Sequence, residues 1–308
     1  MKSQLQSPLR IKSAPTLLLA LSLPLLLSGC SILPTTRKLP VPKAPALTQT
    51  VDHDELVAQL NKRWAALNTM KLRVDIQATE YNTNAGLQKD SPTFGGLVFM
   101  QKPEMLRVYG MVPVIRTEAF DIVGDGKSFT MYIPHNNMAY KGTYDVAAKK
   151  ASATLEEKLR PGFFFDAIVV RGLEPDDEYM VTADTVIGED AARKHLYSVP
   201  EYKLTIMRGK PGSSEHAPRR VVYFHRDNLL PSQQDIYDSE GNLVTQVTYG
   251  PYKNFDSIQY PSSITIKRPL DEVQIVLTVD SVTQNQPMSP DQFEINNIPS
   301  GTPVKDMH

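Results

Sequence analysis

The chain has 308 residues, 41 % of them hydrophobic, which is enough to bury a sizeable core in one large or two small domains. Its formal charge is −1, and without the basic residues of the leader, Lys2, Arg10 and Lys12, the remainder carries −4. A mildly acidic protein is not built to hold phosphate backbones, so no nucleic-acid partner is expected. The single cysteine excludes an internal disulfide and a cysteine-rich metal site.

The first thirty residues have the form of an export signal. Residues 17–27 are an apolar run that is too short to span a bilayer and has the length of a signal-peptide core. The run ends in Leu27-Ser28-Gly29-Cys30, which resembles the lipobox of bacterial lipoproteins. The resemblance implies a cleaved signal peptide at 1–29, lipidation of Cys30 and, with Ser31 following, the periplasmic face of the bacterial outer membrane. The alternative is an ordinary secretory leader with a stray cysteine.

The segment after the cysteine predicts a tether. Residues 30–50 have no apolar periodicity and contain Pro34, Pro40, Pro42 and Pro45. Proline-rich segments are extended and stiff, at about 3.1 Å per residue. The folded domain is therefore predicted to span residues 51–308.

The domain is predicted to open with a helix and a strand. Asp52 as N-cap and Glu55 three residues later fit a capping box, and an apolar stripe at helical spacing continues to near Asn68. Residues 72–78 then alternate, which predicts a strand that is buried on one face. Its inward residues are Leu72, Val74, Ile76 and Ala78.

Residues 94–144 predict an antiparallel meander of short alternating strands. Asp125-Gly126 between two such strands is a strong hairpin signal, because both positions tolerate a positive φ. Lys102-Pro103 and Pro134 mark two further turns.

The order of these motifs resembles the bacterial lipoprotein-localisation family of LolA and LolB. The residues that carry the resemblance are Gly96, Leu97, Phe99, Lys102-Pro103, Arg107, Asp125-Gly126-Lys127, Tyr132 and Pro134, with 282–285, Pro290, Phe293 and Gly301 at the end of the chain. The family implies an unclosed barrel with a helical lid. The carrier of this family has an arginine where this chain has Lys102, and lysine lacks the planar bidentate contacts of a carrier-style lid latch.

A second helical region is expected at 152–170, interrupted at Pro161-Gly162. Its apolar residues Phe163, Phe164 and Ile168 make it either a core helix or a candidate lid over a lipid cavity. About twelve strands and two helices in all predict a mainly β (α+β) fold. In that fold a single large curved antiparallel sheet forms an unclosed half-barrel, with helices covering its concave face.

No pattern of catalytic or metal-binding residues is present. The six histidines, His53, His135, His195, His216, His225 and His308, lack ligand spacing, and the chain contains no nucleophile elbow or phosphate loop. The acidic pairs lie at turns. We therefore expect no enzyme activity, no metal and no cofactor.

Binding is the remaining function. The concave side of such a sheet is either filled or left open for a ligand. The residues predicted to line an open cavity are Phe99, Phe120, Ile122, Phe129, Met131, Val221, Tyr223 and Ile275. The apolar loop residues Met111, Val112, Val114 and Ile115 are a candidate membrane-facing loop, as in the receptor of the family, or they tuck against the sheet.

The first hypothesis for function is an outer-membrane lipoprotein that binds acyl chains and acts in the receipt or insertion of lipoproteins or lipids. Its partners would be the membrane, acyl chains and a periplasmic carrier protein. The alternative is an anchored structural or interaction lipoprotein of an envelope complex, with a filled core. A hydrolase of envelope lipid or glycan would need a nucleophile and a base, and the sequence offers no such pair.

Overall fold

Strands make up most of the molecule. The computed structural model describes residues 48–144, 155–158, 161–189, 196–209 and 215–307. The predicted signal peptide, Cys30 and most of the predicted tether lie outside these residues. The helices are α1 (His53–Ala66), α2 (Leu155–Lys158) and α3 (Gly162–Ile168). In the part of the chain that the structure describes, none of the helices has the length and apolar character needed to cross a membrane.

Helix α1 begins where the sequence predicts. The Asp52 carboxylate accepts a hydrogen bond from the backbone N–H of Asp54 at 2.9 Å, an N-cap contact worth about 1 kcal/mol. The helix ends at Ala66, and the N–H of Leu67 then donates to the Trp64 carbonyl. Before α1, Gln49 and Thr50 of the predicted tether are already hydrogen-bonded to Arg226. The described chain is thus fixed to the sheet before the helix starts.

The strands alternate in burial, as their sequences require. β1, at the centre of the sheet, follows the predicted pattern, with Leu72, Val74 and Ile76 on one buried face. The strands are β1 (Thr69–Asn82), β2 (Leu87–Asp90), β3 (Phe94–Gln101), β4 (Met105–Met111), β5 (Glu118–Gly124), β6 (Ser128–Ile133), β7 (Met138–Thr143), β8 (Glu178–Glu189), β9 (Leu196–Gly209), β10 (His216–His225), β11 (Pro231–Tyr237), β12 (Leu243–Tyr249), β13 (Tyr252–Phe255), β14 (Ile258–Pro261), β15 (Ser263–Arg268), β16 (Val273–Gln284) and β17 (Val304–Met307).

Among the described residues, all strands except the β13–β14 hairpin belong to one sheet that does not close into a barrel. Its order is β17-β7-β6-β5-β4-β3-β1-β16-β15-β12-β11-β10-β9-β8, with β2 paired to β1. The first strand, β1, and the last strand but one, β16, pair with each other in the middle of the sheet. The meander predicted from residues 94–144 is present as β3 to β7.

One detail of the sheet corrects the sequence prediction. The sheet is mixed rather than wholly antiparallel, because β17 pairs in parallel with β7. This last strand covers the edge of β7 and buries Met307, which protects an otherwise open edge. Strand β9 is continuous and passes through Pro200 while pairing with β8.

The apolar residues form two clusters on the sheet. The larger cluster joins the central strands to α3, through residues such as Leu72, Met131, Ile275 and Phe165. The smaller cluster packs Leu56 and Leu60 of α1 against Leu204, Val222 and Phe224 of β9 and β10. Helices α1 and α3 therefore pack on the sheet through apolar side chains.

Candidate functional site

An apolar cavity of about 590 Å³ lies between the central strands and the helices α2 and α3. This volume is within the range of ligand-binding pockets in proteins. We call it the first cavity. Side chains of β1, β3, β5, β6 and β16 line it from the sheet, and α2, α3 and the β4–β5 loop complete it. The apolar residues around it are Ile76, Ala78, Phe94, Val112, Ile115, Ala119, Phe120, Ile122, Met131, Ile133, Leu155, Phe164 and Ile275.

Four of the eight predicted lining residues line this cavity: Phe120, Ile122, Met131 and Ile275. Ile122 and Met131 are directly paired across β5 and β6, so they present neighbouring surfaces. The ring of Phe120 lies edge-on to that of Phe94, with centroids 5.8 Å apart.

The other four predicted residues lie elsewhere. Phe99 is on the opposite face of β3, where the Lys71 ammonium lies 5.3 Å from its ring centroid. Phe129 is buried beside Tyr144 without lining the cavity. Val221 and Tyr223 are on the face of β10 that is turned away from α1, and the Tyr223 hydroxyl donates to Asp235. A shift of one residue moves a side chain to the other face of a strand, and for β3 the predicted residue was on the wrong face. No residue of β10, on either face, lines the first cavity.

Sequence reasoning missed several lining residues. Ile76 and Ala78 were predicted to point inward on β1 but were not assigned to the cavity, although the alternation already placed them on the correct face. Phe94, Ile133 and Leu155 also line it. Leu155 lies far from the sheet in sequence, and no local pattern relates it to the cavity.

The three candidate lid residues are all buried. Phe164 lines the first cavity, and its ring stacks on that of Phe163 with centroids 4.5 Å apart. The Arg268 guanidinium lies 5.0 Å from the Phe163 ring centroid. Ile168, one turn further along α3, is 2 % exposed and faces a different cavity. One helix thus contributes to two cavities.

The apolar loop between β4 and β5 stands at the mouth of the first cavity. Met111 and Val112 are half-buried, whereas Val114 is 96 % exposed and Ile115 is 67 % exposed. The loop is held by backbone hydrogen bonds from Val112 N–H to the Thr117 carbonyl and from Arg116 N–H to the Val112 carbonyl. Val112 and Ile115 also line the cavity. The loop therefore lines the cavity with some side chains and exposes others to solvent.

A few polar side chains surround the same opening: Ser91, Thr117, Glu118 and His135. Burial raises the pKa of the Glu118 carboxyl, opposed by a hydrogen bond from the Asn297 amide. Among the described residues, the Oε1 atom of Glu118 is buried and has no hydrogen-bond partner. The opening thus combines an apolar interior with hydrogen-bonding groups at its edge.

Lys102 contacts α1 rather than α3. Its ammonium donates to the Trp64 carbonyl and lies 3.9 Å from the centroid of the Trp64 ring. This cation–π contact and hydrogen bond fix the last turn of α1 to the β3–β4 turn. The residue that replaces the carrier's arginine therefore fastens the first helix.

No family model matches the chain, and none of the curated proteins matches it. Its structure is similar to that of a DUF1329 family protein from Desulfovibrio piger, with a TM-score of 0.50, 14 % identity and coverage of 80 % of this chain and 97 % of that one. A LolA superfamily protein from Nitrosomonas europaea has a TM-score of 0.47 at 11 % identity, covering 80 % and 99 %. A domain from Vibrio parahaemolyticus, named for outer membrane lipoprotein sorting, has a TM-score of 0.45 at 11 % identity, covering 78 % and 94 %.

At these identities a likeness extends to the fold alone. The fold is the open, mostly antiparallel sheet that the chain has in common with the DUF1329 family protein. The resemblance to the lipoprotein-localisation family stays a prediction from the sequence motifs.

Proposed function

We propose that this protein binds acyl chains in the first cavity and delivers them to or from a membrane, as a lipid-anchored lipoprotein of the outer membrane. The observation that carries the proposal is the first cavity itself, an apolar space of about 590 Å³ whose lining includes the exposed side chain of Ile115, next to the exposed Val114 in the same loop. An interaction module with a filled core has no need of such a space.

The proposed binding is driven by burial of apolar surface. Each methylene that moves from water into an apolar cavity gains about 0.8 kcal/mol, so a chain of ten or more carbons outweighs the cost of ordering it. In this proposal α3 covers the concave side of the sheet, and Phe164, with Phe163 stacked on it, acts as the lid of the first cavity. The binding is non-covalent, and we propose no catalytic step.

The loop at the opening is proposed to contact the bilayer. Val114 and Ile115 are two large apolar side chains that water otherwise surrounds. Their burial among acyl chains would stabilise a membrane-bound state and place the opening of the first cavity at the lipid surface. A lipid anchor at Cys30 would keep the domain close to that surface. A periplasmic carrier protein is the proposed source of the cargo.

The test uses a neutral probe, a pyrene-labelled diacylglycerol, so that binding depends on the acyl chains and not on charge. Ala119 lines the first cavity at its opening, and Ala119→Phe fills part of the space. The matched control is Val123→Phe on the same strand, since Val123 does not line the cavity. We expect the unmodified protein and the control to bind the probe, and Ala119→Phe to bind at least several-fold more weakly. Absence of saturable binding, or equal binding by the two variants, rejects the proposal.

A further inference from the structure

A second cavity, of about 380 Å³, lies beside the last turn of α1. Its walls are α1, the end of α3 and the β13–β14 hairpin, and it has no lining residue in common with the first cavity. On β1 the two cavities are separated by Leu72 and Val74, which are 0 % and 1 % exposed. The two spaces are therefore distinct sites.

Aromatic rings fixed by hydrogen bonds form one wall of the second cavity. The Tyr252 hydroxyl donates to the Pro231 carbonyl at 2.9 Å, and the Tyr260 hydroxyl donates to the Ile168 carbonyl at 2.6 Å. The Tyr249 hydroxyl accepts from the Gln234 amide. Because their polar ends are already bonded, these rings are held in place and offer their apolar faces to a ligand.

Arg63 supplies the only charge among the described residues that line this cavity. Its Nη1 donates to the Leu229 carbonyl at 3.0 Å, and in the part of the chain that the structure describes no carboxylate pairs with it. Partial burial lowers the pKa of the Arg63 guanidinium, whereas the electrostatic interaction with Tyr252 raises it. An arginine keeps its charge under these conditions, so the remaining N–H groups are donors without an anionic partner.

Two carbonyl groups at the end of α1 already accept hydrogen bonds from side chains. Lys102 donates to the Trp64 carbonyl, and the Asn285 amide donates to the Ala66 carbonyl at 2.8 Å. Two of the last four carbonyl groups, which make a helix C-terminus negative, are therefore already bonded. The Lys102 ammonium also adds a positive charge on the far side of the Trp64 ring.

We propose that the second cavity binds an anionic amphiphile, with its carboxylate on Arg63 and its apolar chain between the tyrosine rings. The guanidinium fork matches a carboxylate, and charge-assisted hydrogen bonds of this kind are about twice as strong as neutral ones. The apolar slot behind Arg63 has the volume for a medium-length chain. This site does not depend on acyl binding in the first cavity.

Trp64 makes the proposal directly testable. It lines the second cavity and is the only tryptophan of the chain, so its fluorescence reports on this site. The full-length protein is titrated with decanoate, with decanol as the neutral match and with acetate as the anion without a chain. We expect a saturable change with decanoate only.

The variants separate charge from packing. Arg63→Gln is expected to weaken decanoate binding at least tenfold, Arg63→Lys to weaken it less, and Lys62→Gln, the neighbouring exposed cation outside the cavity, to change it less than twofold. Circular dichroism checks that each variant is folded, and Ala119→Phe is expected to leave the signal unchanged. The proposal is overturned if decanol or acetate gives the same response as decanoate, if no saturable change occurs, or if Arg63→Gln and Arg63→Lys both bind like the unmodified protein.

Discussion

Gly110 and Phe120 face each other across β4 and β5, and the phenyl ring lies over the glycine. A Cβ atom at position 110 would be 2.4 Å from both Cε1 and Cζ of the Phe120 ring, well inside van der Waals contact. The missing side chain thus lets this ring lie against the sheet. Because Phe120 lines the first cavity, Gly110 helps to keep that cavity open.

We therefore expect Gly110→Ala to displace the Phe120 ring and to reduce acyl-chain binding several-fold, with a loss of about 1–3 kcal/mol in the free energy of unfolding. The measurements are diacylglycerol binding and chemical denaturation. Gly95→Ala on the neighbouring strand is the control, since a Cβ there meets nothing within 4 Å. If Gly110→Ala binds as well as Gly95→Ala, the Phe120 ring does not control the cavity.

Val114→Asp is expected to weaken the association of the protein with lipid vesicles without lowering its stability. Val114 is 96 % exposed, so it contributes little to the folded core, whereas a charge at the lipid surface opposes insertion. Leu270→Asp is the control, because Leu270 is an apolar residue of another turn and is 65 % exposed. The measurement is vesicle co-sedimentation. Equal effects of the two substitutions would contradict a specific role for the β4–β5 loop.

Val114 also has a backbone conformation that its side chain disfavours. Its φ is +69°, in the left-handed region, where a β-branched residue costs about 1–2 kcal/mol. Asparagine tolerates this region, so Val114→Asn is expected to raise the free energy of unfolding by about 1 kcal/mol while it lowers vesicle association. Val304→Asn, at an exposed strand valine, gives no such gain. A loss of stability in Val114→Asn would show that the valine is not strained.

The fourth prediction concerns acid stability. Glu174 accepts hydrogen bonds from Arg219 and Arg208, both at 2.7 Å, and these contacts lower the pKa of its carboxyl to about 2. In the unfolded chain this carboxyl has the ordinary glutamate pKa. Its contribution to the free energy of unfolding is therefore complete above about pH 4.5 and is lost as the pH falls towards 2. Because 45 % of the side chain is exposed, solvent screening limits the effect to about 1 kcal/mol.

In thermal unfolding at a series of pH values, Glu174→Gln should be less stable than the unmodified protein at pH 6 and nearly equal to it at pH 2. Glu240→Gln, in an exposed turn, is the control. A stability difference for Glu174→Gln that stays constant with pH would exclude the arginine contacts as its cause.

The amino-acid sequence determined the local structure. The N-cap at Asp52 correctly predicted one helix start, and the alternation of β1, β5 and β6 predicted part of one cavity wall, because capping and strand alternation depend on neighbouring residues. Asp125-Gly126 likewise predicted a hairpin that the structure contains. The sequence also located the apolar loop around Val114, but it did not decide whether that loop is exposed or packs against the sheet.

Tertiary structure decided everything that depends on distant pairing. The faces of Phe99, Val221 and Tyr223 follow from strand register, and a one-residue change of register reverses them. The parallel pairing of β17 with β7 joins segments more than 160 residues apart, and the second cavity exists because α1, α3 and the β13–β14 hairpin meet around Arg63. Whether an apolar interior is filled or hollow depends on how side chains from separate segments fit together. The volume of a cavity therefore cannot be predicted from a local sequence pattern.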